Sequence, residues 1–168
     1  VLVHARFGTA TLVLGDSRID VVTARRETYP RPAALPVVSP AGVFDDLGRR
    51  DFSINALAVH LGESRPQVLD PHGGLGDICR GLVRTLHANS FVDDPTRIFR
   101  AVRYEQRLDF RIEEETLAQL LRATAQGYLA SLTGDRLRHE LERILREERP
   151  ELPLRRLGEL GILAAIHP

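Results

Sequence analysis

The rhythm of polar and apolar positions changes once along the chain, near Phe91. Before that point the apolar residues fall in short β-branched runs. Residues 9–14 and 18–23 are two such runs with Gly15-Asp16 between them, which predicts a hairpin. Residues 57–61 and 67–70 predict two more strands around Gly62-Glu63-Ser64, and Leu82 to Leu86 predicts another. Gly73-Gly74 after Pro71 predicts a turn. Residues 29–42 carry Pro30, Pro32, Pro36, Pro40 and Gly42, too many prolines for a helix, and are expected to form a mobile loop. After Phe91 the helix formers Arg, Glu, Leu and Ala take over. Helices are predicted over 95–107, 113–125, 134–147 and 152–165, with breaks at Asp109-Phe110, Gly127 and Pro150. The expected class is α+β: a β-rich first half joined to an all-helical second half, without internal repeats.

Composition narrows the reading. The 168 residues are 43% hydrophobic and 27% charged, which suits one ordinary domain or two small ones and excludes a disordered chain. No apolar run approaches the ~18–20 residues of a membrane span, and no export signal opens the chain. A lone cysteine, Cys79, excludes an internal disulfide and a cysteine metal site, so a reducing, cytoplasmic setting is expected. Methionine is absent, so Val1 is read as a processed end or a cut. Every one of the 23 basic residues is arginine. A GC-rich coding bias accounts for that; its chemical consequence is that each cationic site uses the planar guanidinium fork. Formal net charge is zero, so any nucleic-acid site must come from local clustering.

The densest chemistry lies between Asp93 and Arg107. Asp94 before Pro95 predicts a helix start, with a carboxylate cap and proline at the first helical position. At about 100° per residue, Arg97, Arg100, Arg103 and Arg107 share one side of this helix while Ile98, Phe99 and Val102 share another. The ordinary reading is a solvated face with a capping aspartate. Against it, only Glu105 could offer an on-helix partner, and it lies off the stripe, so the arginines repel one another unless anions sit on them. A nucleoside triphosphate or an RNA backbone would supply those anions. Asp94 and Arg97 also suit a base edge: a carboxylate accepts from an exocyclic amino group and a guanidinium donates to a ring nitrogen or carbonyl. Cytosine and adenine carry an amino donor beside an acceptor, whereas uracil and guanine present the reverse. Upstream, Arg49-Arg50-Asp51-Phe52-Ser53-Ile54-Asn55-Ala56 follows the proline-rich loop. Its plain reading is a short capped helix with surface charge; its functional reading brings Arg50 to a phosphate and Asp51 to a sugar hydroxyl. His72, in Asp70-Pro71-His72-Gly73-Gly74, reads as a surface residue.

Taken in order, Arg49 to Ala58, Asp70 to Gly74 with Asp77, and Phe91 to Tyr104 closely resemble the class II tRNA nucleotidyltransferase and bacterial poly(A) polymerase family. Phe7 to Ala10 and Asp20 to Arg25 resemble strands of the family's head, and Leu132 to Leu141 its neck helix. The resemblance implies the C-terminal part of a polymerase-β-like nucleotidyltransferase head over 1–88 and an all-helical neck that binds nucleotide and RNA over 89–168. It implies that Asp94 and Arg97 pair with the incoming base. It implies that Arg50, Arg100 and Arg103 contact the nucleotide, largely its phosphates and sugar, with Asp51 and Asn55 organising the pocket. The expected activity is addition of CMP and/or AMP from CTP and ATP to the 3′ end of tRNA or another RNA, with Mg²⁺ and without DNA or a membrane. Polyadenylation and a non-catalytic RNA-binding fragment are the alternatives. One departure is Asp93-Asp94 where the family usually has Glu-Asp. Another is the family's paired-aspartate metal motif, which is expected ahead of residue 1, so the chain alone is expected to be inactive. Asp20 is the remaining acidic candidate, with a hairpin-end aspartate as its plain reading.

Overall fold

The computed structural model describes residues 1–4, 8–62 and 65–166. Within them the two runs predicted as a hairpin pair with each other, and a strand that was not predicted, residues 2–4, joins them. β1 (Leu2–His4), β2 (Thr9–Leu14) and β3 (Ser17–Val22) form an antiparallel sheet, and Gly15 turns the β2–β3 corner at φ 59°. The register Ala10↔Val21, Leu12↔Ile19 places Leu12, Ile19 and Val21 on one face, while Val13 and Val22 fall on the other. β6 (Ala58–His60) pairs with β7 (Gln67–Leu69). Phe7, Glu63 and Ser64, which the sequence reading also used, lie outside the described residues.

The proline-rich stretch differs from expectation. β4 (Arg25–Thr28) pairs with β5 (Val37–Pro40), so residues 29–42 are not all loop. Thr28, Val37 and Val38 favour extended backbone, and the prolines fall in the connection or at the ladder's end, where no inner hydrogen bond is lost. The connection is tied down. Ala33, at φ 57°, donates its N–H to Val92 O (3.2 Å), and its carbonyl accepts from Arg136 Nη1 (2.9 Å).

Three short helices escaped the periodicity argument because one or two turns cannot display it. They are α1 (Val43–Gly48), α2 (Gly74–Arg80) and α3 (Ser90–Asp93). α2 explains the Asp-Pro-His-Gly-Gly run. Asp70 accepts from the N–H groups of Gly74 (2.6 Å) and Leu75 (3.0 Å), capping the helix, and Gly73 turns into it at φ 72°. A Cβ on Gly74 would lie 2.2 Å from Ser53 O, so only glycine allows α2 this close to the 3₁₀ turn Ser53–Asn55.

The long helices appear near their predicted bounds: α4 (Thr96–Arg107), α5 (Glu114–Ala125) and α6 (Gly134–Leu145). Glu113 and Thr133 cap α5 and α6 by accepting from Thr116 N and Arg136 N. The last predicted helix is two, α7 (Glu151–Glu159) and α8 (Ile162–Ile166), because the chain turns at Gly161, φ 71°. The second half is not all helical either. β8 (Leu82–Val83) pairs in parallel with β9 (Arg111–Ile112), joining the two halves. One core spans them: Phe52 and Val83 pack in a cluster with Phe91, Ile98, Phe99, Val102, Leu120, Ile144, Leu157 and Ile162. Full burial of Ile98, Phe99 and Val102 contributes ~1.5–3 kcal/mol each, and it fixes how α4 is rotated. No helix of the described residues is long and apolar enough to cross a membrane.

Candidate nucleotide-binding site

The buried face of α4 determines where its arginines point. Just ahead of it, Asp94 has extended backbone, and its Oδ1 accepts from Thr96 N (3.0 Å) and Thr96 Oγ1 (2.6 Å). This is the predicted cap, although the first residue in regular helix is Thr96. The same oxygen takes Arg136 Nη2 from α6 at 2.7 Å. Oδ2 has no partner among the described residues and is left to accept.

Arg97 is 5% exposed. Its Nη1 donates to Ser90 Oγ and its Nη2 to Arg49 O, both at 2.8 Å. Both acceptors are neutral, and no carboxylate among the described residues pairs with it. A buried guanidinium whose charge is not balanced is costly, and a ligand acceptor would offset that cost. Arg100 is treated differently. Nε and Nη2 reach Asp51 Oδ2 at 2.7 and 2.5 Å. Burial lowers the Arg100 pKa, but the Asp51 charge and hydrogen bonds outweigh it and the net shift is upward. The other Asp51 oxygen accepts from Phe52 N (2.9 Å) and Asn55 Nδ2 (3.0 Å).

The segment carrying Arg50, Asp51 and Asn55 is anchored from below. Asp77 is fully buried and accepts from Ser53 Oγ (2.5 Å), Arg84 Nε (2.9 Å) and Arg80 Nη2 (2.7 Å). Burial raises its pKa, yet the bonds from Ser53 and Arg84 hold it below the usual carboxylate value. Arg49 is pinned between Asp46 and Glu27. Arg50 is looser: its side chain is 41% exposed, with bonds of 3.2 Å to Asp46 and to Asn55 O.

These elements line an open cavity of about 500 Å³. Arg50, Asp51, Asn55, Asp94, Arg97 and Arg100 all line it, so the structure gathers six of the residues singled out from sequence. Glu27, Tyr29, Arg49 and Tyr104 complete the wall without having been singled out as ligands. Tyr104 had a signal, since it stands four residues from Arg100 on the same face, and Arg100 lies over its ring at 5.6 Å. Glu27 and Tyr29 had none. Tyr29 donates to Glu27 Oε2 (3.0 Å), and burial, opposed by Arg97 and assisted by Glu27, pushes its pKa up to about 12, so it stays a phenol.

Two candidates lie elsewhere. Asp20 sits in the β2–β3 hairpin, accepting from Thr11 Oγ1 (2.6 Å) and Arg18 Nε (3.3 Å). Arg103 packs over the Tyr104 ring at 5.1 Å, donates to Glu147 (3.3 Å) and lines a different cavity. The expectation of an unpaired, self-repelling arginine stripe therefore needs correction. Asp51 neutralises Arg100, and Glu147 takes both Arg103 and Arg107. Partners from distant segments were invisible to an on-helix count. The Mg²⁺ of the resemblance finds no place among the described residues, which hold no group of three or more metal-ligating side chains. The cavity carboxylates Glu27, Asp51 and Asp94 already each hold an arginine.

Residues 1–84 match the Poly A polymerase head domain, and residues 109–168 match the Probable RNA and SrmB-binding site of polymerase A. The chain belongs to this polymerase family. It is 46% identical over 167 residues to the A-adding tRNA nucleotidyltransferase of Geobacter sulfurreducens, covering 98% of this chain and 19% of that protein. It is 44% identical over 160 residues to the CC-adding tRNA nucleotidyltransferase of Deinococcus radiodurans, covering 94% of this chain and 42% of that protein. Among solved structures it resembles the apo form II of a CCA-adding enzyme, with a TM-score of 0.91 and 46% identity, over 96% of this chain and 39% of that one. The chain thus spans between about a fifth and two-fifths of the length of these proteins.

Proposed function

We propose that this chain is the nucleotide-selecting part of an RNA 3′-end nucleotidyltransferase, which adds CMP and/or AMP from CTP and ATP to a tRNA end and releases pyrophosphate. The observation that carries the reading is the state of two neighbours on one cavity wall. Among the described residues, Asp94 keeps one carboxylate oxygen free to accept, and Arg97 is buried with no carboxylate to balance it. Oδ2 accepts from the exocyclic amino group of cytosine or adenine, and Arg97 donates to the adjacent ring nitrogen or carbonyl. Uracil and guanine would turn a carbonyl toward Asp94 and an N–H toward Arg97, two repulsive contacts. Arg50 at the rim suits a phosphate, and the Arg100–Asp51 pair with Asn55 forms a rigid wall against the sugar. The names of the A-adding and CC-adding relatives support this reaction class. Mg²⁺ and a cytoplasmic setting belong to the same proposal. Competition binding on the full chain tests it: ATP and CTP should bind at least about tenfold tighter than GTP and UTP, and Arg97→Ala should erase the difference. Equal affinity for all four in the unsubstituted chain would overturn it.

A further inference from the structure

The far end of α4 faces a second cavity, of about 560 Å³, at the corner where α6 runs into α7. Four arginines line it, Arg103 and Arg107 from α4 and Arg146 and Arg149 from the corner, against three carboxylates, Asp109, Glu147 and Glu148. Arg103 is the informative one. Its side chain is only 7% exposed, and its Nε is buried with no hydrogen-bond partner. Its one carboxylate contact among the described residues, Glu147, is long at 3.3 Å, and the same carboxylate is held more tightly by Arg107 at 2.8 and 2.5 Å. Two guanidiniums therefore share one negative charge. Arg146 and Arg149 are 80% and 68% exposed and make only loose contacts, 3.9 Å to Glu142 and 3.3 Å to Glu151. An unsatisfied buried donor beside a carboxylate bridging two arginines is the arrangement a group with three or four acceptor oxygens would complete.

We infer that this corner is a phosphate-binding site, in which the Glu147 carboxylate occupies the place of the phosphate oxygens and gives way when a phosphate arrives. The phosphate accepts from Arg103 and Arg107, with Arg146 and Arg149 drawing it in from solvent. It belongs either to an RNA backbone or to a free nucleotide. The inference does not rest on the reading of the first cavity.

The test follows the Nε–Hε NMR signals of Arg103 and Arg107 in the full chain at constant ionic strength. Inorganic phosphate, ATP and the ribotrinucleotide CCA are titrated separately. Saturable shifts at both arginines are expected. Arg107→Ala should weaken binding by about tenfold, since the anion loses one of its two charge-assisted partners. Glu147→Gln should tighten it by about threefold, because the amide withdraws a like charge from the site. Tightest binding by the trinucleotide assigns the phosphate to a strand, and by ATP to a free nucleotide; both support the site. Absence of a saturable shift with all three probes overturns it, as does unchanged or weaker binding in Glu147→Gln. Should that variant not fold, Arg107→Ala decides alone: its side chain is 46% exposed, outside the core, and unchanged affinity there overturns the inference. If base selectivity fails while these shifts persist, only the first-cavity reading is lost.

Discussion

The two ends of α4 carry the same residue type and solve opposite problems. At its start Arg97 is held by a hydroxyl and a backbone carbonyl, both neutral, and its charge stays available. At its end Arg103 and Arg107 close on Glu147 from beyond α6, and much of their charge is spent inside the protein. What separates an arginine whose charge is unbalanced from one a carboxylate already holds is the charge of its acceptors rather than its exposure. Arg97 and Arg103 are almost equally buried, at 5% and 6%.

Substitutions can break this contrast, and the largest effect belongs to the first end. Arg97→Ala should remove ~1–3 kcal/mol of discrimination between ATP or CTP and the other two nucleotides, read by competition binding. A uniform loss across all four would instead make Arg97 a general anchor. Ser90→Ala comes next. Ser90 is fully buried and aims Arg97, so its loss should cost about 1 kcal/mol of stability and blur base choice in part, read by denaturant melts and the same competition. Arg107→Ala should be smaller still, ~0.2–1 kcal/mol in stability with base choice intact, since its pair with Glu147 is half exposed. A change in base choice there would mean that the two ends are not independent.

The smallest effect is a pH dependence. The hydrogen bond from Arg107, opposed by burial and joined by Arg103, holds the Glu147 carboxyl below its ordinary value of 4.5. A carboxyl with a depressed folded pKa adds stability above its unfolded pKa and loses it as pH falls through the folded value. The melting-temperature gap between the unsubstituted chain and Glu147→Gln should thus be constant from neutrality down to about pH 4.5 and close below it. A gap that persisted at low pH would show that Glu147 acts through packing.

How much of this was legible in the sequence depended on the reach of each contact. The β2–β3 hairpin and the long helices announced themselves through periodicity and caps, because both signals are local. Asp94 and Arg97 were legible for the same reason, as a cap and a residue one turn on. β4 and β5 were hidden by the prolines between them. Glu27 in β4 and Tyr29 just after it reach the site from a distant segment, and Glu27 grips Arg49 across 22 positions. Arg136 meets Asp94 across 42 positions, and Glu147 meets Arg103 across 44. No spacing rule links such residues. The stripe of arginines was visible on a helical wheel, but which of them had been neutralised was written elsewhere in the chain.

The central claim is that Asp94 and Arg97 read a base without a complementary strand. Crystals of the full chain soaked with CTP, and separately with ATP, test it most directly. The account predicts the exocyclic amino nitrogen within hydrogen-bond distance of Asp94 Oδ2 and the neighbouring ring acceptor facing Arg97, with both bases in the same place. A base bound elsewhere in the cavity, with Asp94 and Arg97 untouched, would contradict it.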